Sequence, residues 1–323
     1  MLPYLEESGA RDSRDLVEFA GERRASILAT LAEHGAVLLR GFSSEGPAAL
    51  GRVGEILAPP LMEYQDRAAH RTQVVGRVYT SADYPPQHEI FLHNEATYAL
   101  RFPGKLLLYC GKPARQGGRT PLADTGAVCE RLAPEIVRAF ARAGVSYVRN
   151  FGTGAFGPSW QDAFQTGDRD EMEAYCRRSG IEVEWRDGAG LRTRQTRPAL
   201  IRHPVSKRAV WFNHAAALHV TTLPPATRRS VLKLFSDQDY PCNTYYGDGS
   251  KIEPEVLDAI REAYESEARG FEWRMGDLLV LDNLRVAHGR TAFKGPREVF
   301  TSLAEPTDWT QVEVPGVDDL GSH

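Results

Sequence analysis

Phe91-Leu92-His93-Asn94-Glu95-Ala96-Thr97-Tyr98 is the stretch that most restricts how this chain can fold. β-type residues on both sides of a His-x-Glu triplet predict a strand, in which residues two apart project from the same face. His93 and Glu95 would then point together, with Asn94 turned away. On a helix the same pair would diverge by roughly 200°, at about 100° per residue. An imidazole and a carboxylate on one face supply two of the three ligands in the 2-His-1-carboxylate arrangement that holds non-haem Fe(II). Taken alone, the triplet is weak, and a polar pair at a strand edge, held by hydrogen bonds, explains it better. A metal reading therefore needs its other parts from elsewhere in the chain.

The 323 residues are 42% hydrophobic and 25% charged, as in an ordinary globular protein. A formal charge of −4, with no run of Lys or Arg, argues against a basic groove for nucleic acid or an anionic membrane surface. No apolar stretch approaches the roughly 20 residues needed to span a bilayer. Met1-Leu2-Pro3-Tyr4-Leu5-Glu6-Glu7 has no basic region followed by an apolar run, so no secretion signal is expected. Cys110, Cys129, Cys176 and Cys242 lie far apart and read as free thiols of a reducing cytoplasm.

Apolar positions at helical spacing predict a helix over 13–34 with Ser13 as N-cap, running into Gly35 and a buried strand Ala36-Val37-Leu38-Leu39. Lys105–Cys110 is apolar on both faces and should be a central strand. Gly117-Gly118-Arg119-Thr120 turns into a strand ending at Asp124, and 128–142 reads as an amphipathic helix. Asn150–Pro158 is rich in Gly and aromatics, as a loop over a site would be. Further helices are expected near 168–179, 226–236 and 253–267, among strands at Val145–Val148, Glu182–Arg186, Leu191–Arg197 and Ala209–Phe212. Strands return at Phe271–Trp273, Leu278–Leu281 and Glu298–Leu303. Strands near both ends, without repeat or linker, predict one mainly β domain over 1–323 with flanking helices. It would be a jelly roll, or double-stranded β-helix, with a helical insertion around 125–270 between core strands.

His288, in Asp282-Asn283-Leu284-Arg285-Val286-Ala287-His288-Gly289-Arg290, falls just past a buried strand, where a barrel presents side chains to its mouth. Gly289 would let the backbone approach a ligand closely. A packed, hydrogen-bonded histidine is the alternative for His288. His214 and His219 are poorly spaced for shared chelation, His88 follows the Pro85-Pro86 turn, and His34, His70 and His203 sit in polar surroundings expected at the surface. Arg297 opens a strand of core residues, where a guanidinium requires an anion unless it reaches solvent. Its planar fork suits a carboxylate.

Several stretches together resemble the taurine dioxygenase (TauD/TfdA) and clavaminate synthase-like superfamily of Fe(II)- and 2-oxoglutarate-dependent oxygenases, and within it the SyrP-like branch. They are His93-Asn94-Glu95, Gln116 through Asp124, Trp211-Phe212-Asn213, Tyr245-Tyr246-Gly247-Asp248-Gly249, and Leu281-Asp282-Asn283 through His288-Gly289-Arg290 to Gly295-Pro296-Arg297. The resemblance implies His93, Glu95 and His288 as iron ligands, and Thr120 and Arg297 as the pair for the distal carboxylate of 2-oxoglutarate. Where some relatives carry a second arginine this chain has Thr301, which argues against taurine as substrate. Glu95 occupies the position that related halogenases leave vacant, which argues against halogenation.

The implied reaction consumes 2-oxoglutarate and dioxygen, releases succinate and CO2, and hydroxylates an unactivated C–H bond; desaturation or cyclisation would need only another substrate pose. SyrP-like relatives act on amino acids in natural-product pathways, sometimes while tethered to a carrier protein. Asn94, Tyr98, Phe151, Trp160, Phe212, Asn213 and His214 are candidate substrate contacts, chosen for closeness to the matched motifs and a place on loops. From the residues alone, a zinc hydrolase using the same three ligands and a non-catalytic jelly-roll binding protein stay open. A homo-oligomer is compatible with the sequence.

Overall fold

The computed structural model describes residues 3–7, 14–152, 156–186 and 190–320. Its frame is two facing antiparallel sheets. The larger runs in the order Tyr4–Glu7, Ala36–Arg40, Leu278–Asp282, Arg101–Lys112, Glu298–Asp308, Val78–Thr80, Gln73–Val75, with Leu61–Met62 also on Glu298–Asp308. Among its described strands, the pairing of Tyr4–Glu7 with Ala36–Arg40 is parallel and the others are antiparallel. The smaller runs Arg269–Phe271, Thr120–Asp124, Val286–Arg290, Ile90–His93.

The central strands are apolar on both faces because both are covered. Leu107, Tyr109, Leu278 and Val280 pack on Leu16, Phe19, Leu31, Leu50 and Leu57 of the N-terminal helices. Leu106, Leu108, Cys110, Leu279 and Leu281 face Leu122 and Val286 of the smaller sheet, and Trp273 just past its Arg269–Phe271 strand. Alternation along one strand thus sends successive leucines to different partners.

Three expectations about elements change. The helix over 13–34 is two, Leu16–Glu22 and Arg24–His34, because Gly21-Glu22-Arg23-Arg24 offers no apolar side chain to hold that turn on the sheet. Asp15 is its N-cap, its carboxylate accepting from the amides of Val17 and Glu18; Ser13 lies outside the described residues. The helix over 128–142 is likewise two, Thr125–Arg131 and Pro134–Ala143: Pro134 has no N–H to continue a helix and opens the second instead. Between the two halves of the frame, the chain is sheet as well as helix. Val145–Phe151 sits centrally in a sheet with Cys242–Tyr246, Leu191–Arg197 and Glu182–Trp185, beside the hairpin of Leu200–Arg202 and Ala209–Trp211. Among the described residues no helix is long and apolar enough to cross a membrane.

His288 does not trail a strand end. Asn283–Arg285 forms a turn, and the chain re-enters the smaller sheet as Val286–Arg290, pairing with both Thr120–Asp124 and Ile90–His93. The register with Ile90–His93 shifts between His288 and Arg290. Gly289 serves this pairing rather than a ligand: a Cβ there would lie 2.7 Å from the Ile90 carbonyl oxygen. Gly289→Ala is expected to force the two strands apart at a cost of ~1–3 kcal/mol. A thermal melt should show a lower Tm, and an unchanged Tm would contradict the close approach.

Candidate metal centre

The smaller sheet delivers the two histidines as a pair. His93 and His288 are directly opposite in the antiparallel register, with ring centroids 4.6 Å apart. Glu95 arrives differently from the expectation. The strand ends at His93, and Glu95 sits in a turn just before Ala96, whose φ is +60°. Strand alternation therefore does not aim the carboxylate; a clamp does. The Asn283 side-chain oxygen accepts from the Glu95 amide at 2.7 Å, and its nitrogen donates to the carbonyls of Glu95 (3.1 Å) and Pro103 (2.8 Å).

The outcome is one group of donors. A ligand atom from each of His93, Glu95 and His288 lies within 4.8 Å of the others. The His93 Nδ1–H donates to the Phe91 carbonyl at 2.8 Å, which orients the ring and leaves Nε2 for a metal. His288 Nδ1 is buried without a hydrogen-bond partner, and its Nε2 is 3.8 Å from the Glu95 carboxylate. Burial, opposed only in part by Glu95, lowers the pKa of His93; burial and the nearby His93 hold His288 well below its ordinary value. Burial alone would push the Glu95 carboxyl up, but Arg71, then His93, bring it below its usual value. Two neutral imidazoles and one carboxylate suit Fe(II), and the donors present fit that ion.

These groups open into a cavity of about 850 Å³ that Thr120, Arg297, Tyr98 and His214 also line. Thr120 is buried and its Oγ1 accepts from Trp273 Nε1 at 3.0 Å. Arg297 donates from Nε to the Gly118 carbonyl at 3.1 Å, and among the described residues no carboxylate forms an ion pair with it. Burial, then repulsion from Arg290, lowers its pKa to about 10. A guanidinium in this position lacks an anion, and a carboxylate would supply it.

The seven candidate substrate contacts separate. Tyr98 and His214 line the cavity, although the Tyr98 hydroxyl is spent on the Asp66 carbonyl and His214 shares a hydrogen bond with Thr97. Asn94, Phe212 and Asn213 do not line it. Asn94 donates to the Asn283 carbonyl, Phe212 packs between Phe102 and Trp309, and Asn213 bridges Ala199 and Ala215. Phe151 and Trp160 belong to a separate apolar cluster with Phe164 and Leu191. Nearness in sequence to a motif misled because backbone bridging and core packing consume these side chains. His203, expected at the surface, is buried, with Nε2 3.1 Å from the Asp282 carboxylate.

Sequence reasoning missed Arg71, Tyr64 and the role of Asn283. Arg71 Nη2 lies 3.2 and 3.4 Å from the Glu95 carboxylate oxygens, and its guanidinium stacks 4.4 Å from the Tyr64 ring centroid. Nothing in the polar stretch before the Pro85-Pro86 turn distinguished this arginine. Asn283 stood within a quoted motif, but its contacts with Glu95 span 188 residues.

Two outcomes follow from this geometry. Asn283→Ala should free the Glu95 backbone and weaken Fe(II) binding by roughly 10–100-fold, measured by anaerobic metal titration; unchanged affinity would contradict the clamp. His93, His214 and His288 titrate near 6.5 when unfolded but lower when folded, chiefly through burial. Below about 6.5 the unfolded chain binds more protons, so stability is full above that pH and is lost as pH falls towards the folded-state values. The Tm of the metal-free protein should fall between about pH 7 and 5; a flat profile would contradict neutral burial of these rings.

Comparison with known proteins agrees with this geometry. The family model "Taurine catabolism dioxygenase TauD, TfdA family" matches residues 3–303. The dapdiamide synthesis protein DdaC of Enterobacter agglomerans is 39% identical over 276 residues, covering 85% of this chain and 84% of that one. A clavaminate synthase-like protein of Arabidopsis thaliana is 32% identical over 284 residues, covering 85% and 83%. The fold is shared with PvcB of Pseudomonas aeruginosa (TM-score 0.54, 18% identity, 96% of this chain and 88% of that one). It is also shared with a taurine dioxygenase of Burkholderia xenovorans (TM-score 0.53, 16% identity, 99% and 95%). The chain belongs to the TauD/TfdA family of Fe(II)- and 2-oxoglutarate-dependent dioxygenases.

Proposed function

We propose that this dioxygenase hydroxylates an unactivated C–H bond of a small molecule, an amino acid or amino-acid derivative, in a natural-product pathway. His93, Glu95 and His288 hold the ferrous ion, and Thr120 with Arg297 holds the distal carboxylate of 2-oxoglutarate. The observation that carries the reading is the convergence of the three donors in a cavity that Arg297 also lines, a cation with no acid partner among the described residues. A zinc hydrolase would leave that arginine without a task. A relative named for dapdiamide synthesis, 39% identical, supports the natural-product setting.

When bound, the ferrous ion and 2-oxoglutarate supply the dioxygen-activating, oxidative chemistry. The chain's own residues bind, orient and exclude water. His93 is fixed by its hydrogen bond to Phe91, and Glu95 by Asn283, so the donors need little rearrangement to meet a metal. Arg297 and Thr120 set the depth of a keto diacid in the cavity. Arg290 donates to the carbonyls of Tyr84, Pro85 and His88, holding that segment of the cavity wall against the smaller sheet. The remaining wall is substrate space, which Leu108, Val299 and Phe91 line on apolar surface.

Anaerobic addition of Fe(II) and 2-oxoglutarate should produce the visible charge-transfer band of a chelated keto acid, lost in His93→Ala and Glu95→Ala. Arg297→Gln should weaken 2-oxoglutarate by roughly 30-fold or more, the ~2–5 kcal/mol of a truncated buried charge pair. A colourless wild-type complex would refute the oxygenase reading. Free and carrier-tethered amino acids should then be offered and screened for a mass gain of one oxygen; no turnover of either class would refute the substrate class.

A further inference from the structure

Resting on the oxygenase reading, we infer that Arg71 is the seat for a free carboxylate of the primary substrate. Its guanidinium is nearly buried, with a side chain 10% exposed, and it lines the cavity beside Glu95. Among the described residues both of its side-chain hydrogen bonds leave from Nη2 alone, at 3.2 and 3.4 Å. Charge-assisted pairs are usually shorter, about 2.7–2.9 Å, and an arginine–carboxylate fork uses two nitrogens. The fork of Arg71 is therefore not spent on Glu95. A carboxylate bound to a dication also has less need of a second cation.

Charge balance points the same way. Once loaded, ferrous iron, Arg297 and Arg71 carry four positive charges against three on 2-oxoglutarate and Glu95. One positive charge is then left over in the desolvated wall that Arg71 and Glu95 share, and a substrate anion would neutralise it. The other cavity-lining cations are already engaged: Arg67 donates to the carbonyls of Tyr64 and Arg71, and Arg290 to three carbonyls. The other cavity-lining acids, Asp83, Glu89 and Asp162, are exposed. The Tyr64 hydroxyl lies against Glu95, and among the described residues the Thr301 hydroxyl is buried in the same cavity without a hydrogen-bond partner.

Arg71 is also prepositioned. The Arg67 guanidinium donates to its carbonyl at 2.9 Å, and the Arg67 amide donates to the Ala163 carbonyl at 2.8 Å. Asp66 is paired with buried Arg149. The Tyr64 ring supports the guanidinium from one face. Because Arg71 touches a metal-facing carboxylate, an acid seated on it places its nearby carbons close to the metal. The substrate would thus be a carboxylic acid oxidised within a few bonds of its carboxylate. An amino acid tethered to a carrier through its carboxyl presents a neutral thioester there and leaves Arg71 unsatisfied.

The test uses 4,4,4-trifluorobutyrate and its carboxamide as probes, followed by fluorine NMR line broadening on the anaerobic protein saturated with Fe(II) and 2-oxoglutarate. The acid is expected to bind saturably and the amide not. Arg71→Gln should bind the acid at least about tenfold more weakly, and Arg71→Lys, which keeps the charge without the fork, several-fold more weakly. Arg71→Lys, which keeps a cation beside Glu95, should keep the charge-transfer band. Equal binding of acid and amide, no saturable binding, or wild-type binding by both variants would overturn the inference. Loss of the band in both variants would also overturn it, making Arg71 a positioning residue for Glu95. A wild-type protein without the band would instead overturn the oxygenase reading, a result visible before any probe is added.

Discussion

The antiparallel register of Val286–Arg290 on Ile90–His93 is the constraint on which the site depends. It sets His288 opposite His93 across nearly two hundred residues of sequence. A one-residue slip would turn one imidazole to the other face of the sheet. The register is defended at several points. Gly289 admits the Ile90 carbonyl where a side chain could not fit, and Arg290 ties the segment before Ile90 to the same strand. On its other edge the strand pairs with Thr120–Asp124, so the residue proposed for the cosubstrate rides on the same sheet as the histidines.

The carboxylate is held by different means, and this division has a physical logic. Two sheet positions can present two rings, but a third ligand from the same strand would stay in line with the first. Leaving the strand at His93 and turning at Ala96 allows Glu95 to approach from another direction. The cost of an irregular buried turn is offset by Asn283, whose amide satisfies the backbone of Glu95 in both directions. Asn283 itself lies in the turn that leads to His288, so one residue couples the placement of two ligands.

Much of this was legible in the sequence. The both-sided apolar strand at Lys105–Cys110, the buried strand at Leu278–Leu281, and the resemblance motifs around His93, Glu95 and His288 led to the right fold and family. The three ligand candidates converge, though not for the reason first given: alternation along a strand does not place Glu95, and His288 lies within a strand rather than past one. What stayed hidden was long-range. Arg71, Tyr64 and the use of Asn283 depend on contacts that no local pattern encodes. Asn94, Phe212 and Asn213 lie near matched motifs, yet their side chains are consumed by backbone bridging or core packing. Helix breaks at Arg23 and before Pro134 were readable from a missing apolar position and from proline chemistry, but periodicity alone carried both helices too far.

The position of the metal is the most direct test of the site. Anomalous diffraction at the iron edge, from crystals grown anaerobically with Fe(II) and 2-oxoglutarate, should show a single peak bonded to His93, Glu95 and His288, with the cosubstrate's distal carboxylate on Arg297. A peak elsewhere, or one that lacks any of these three ligands, would contradict it.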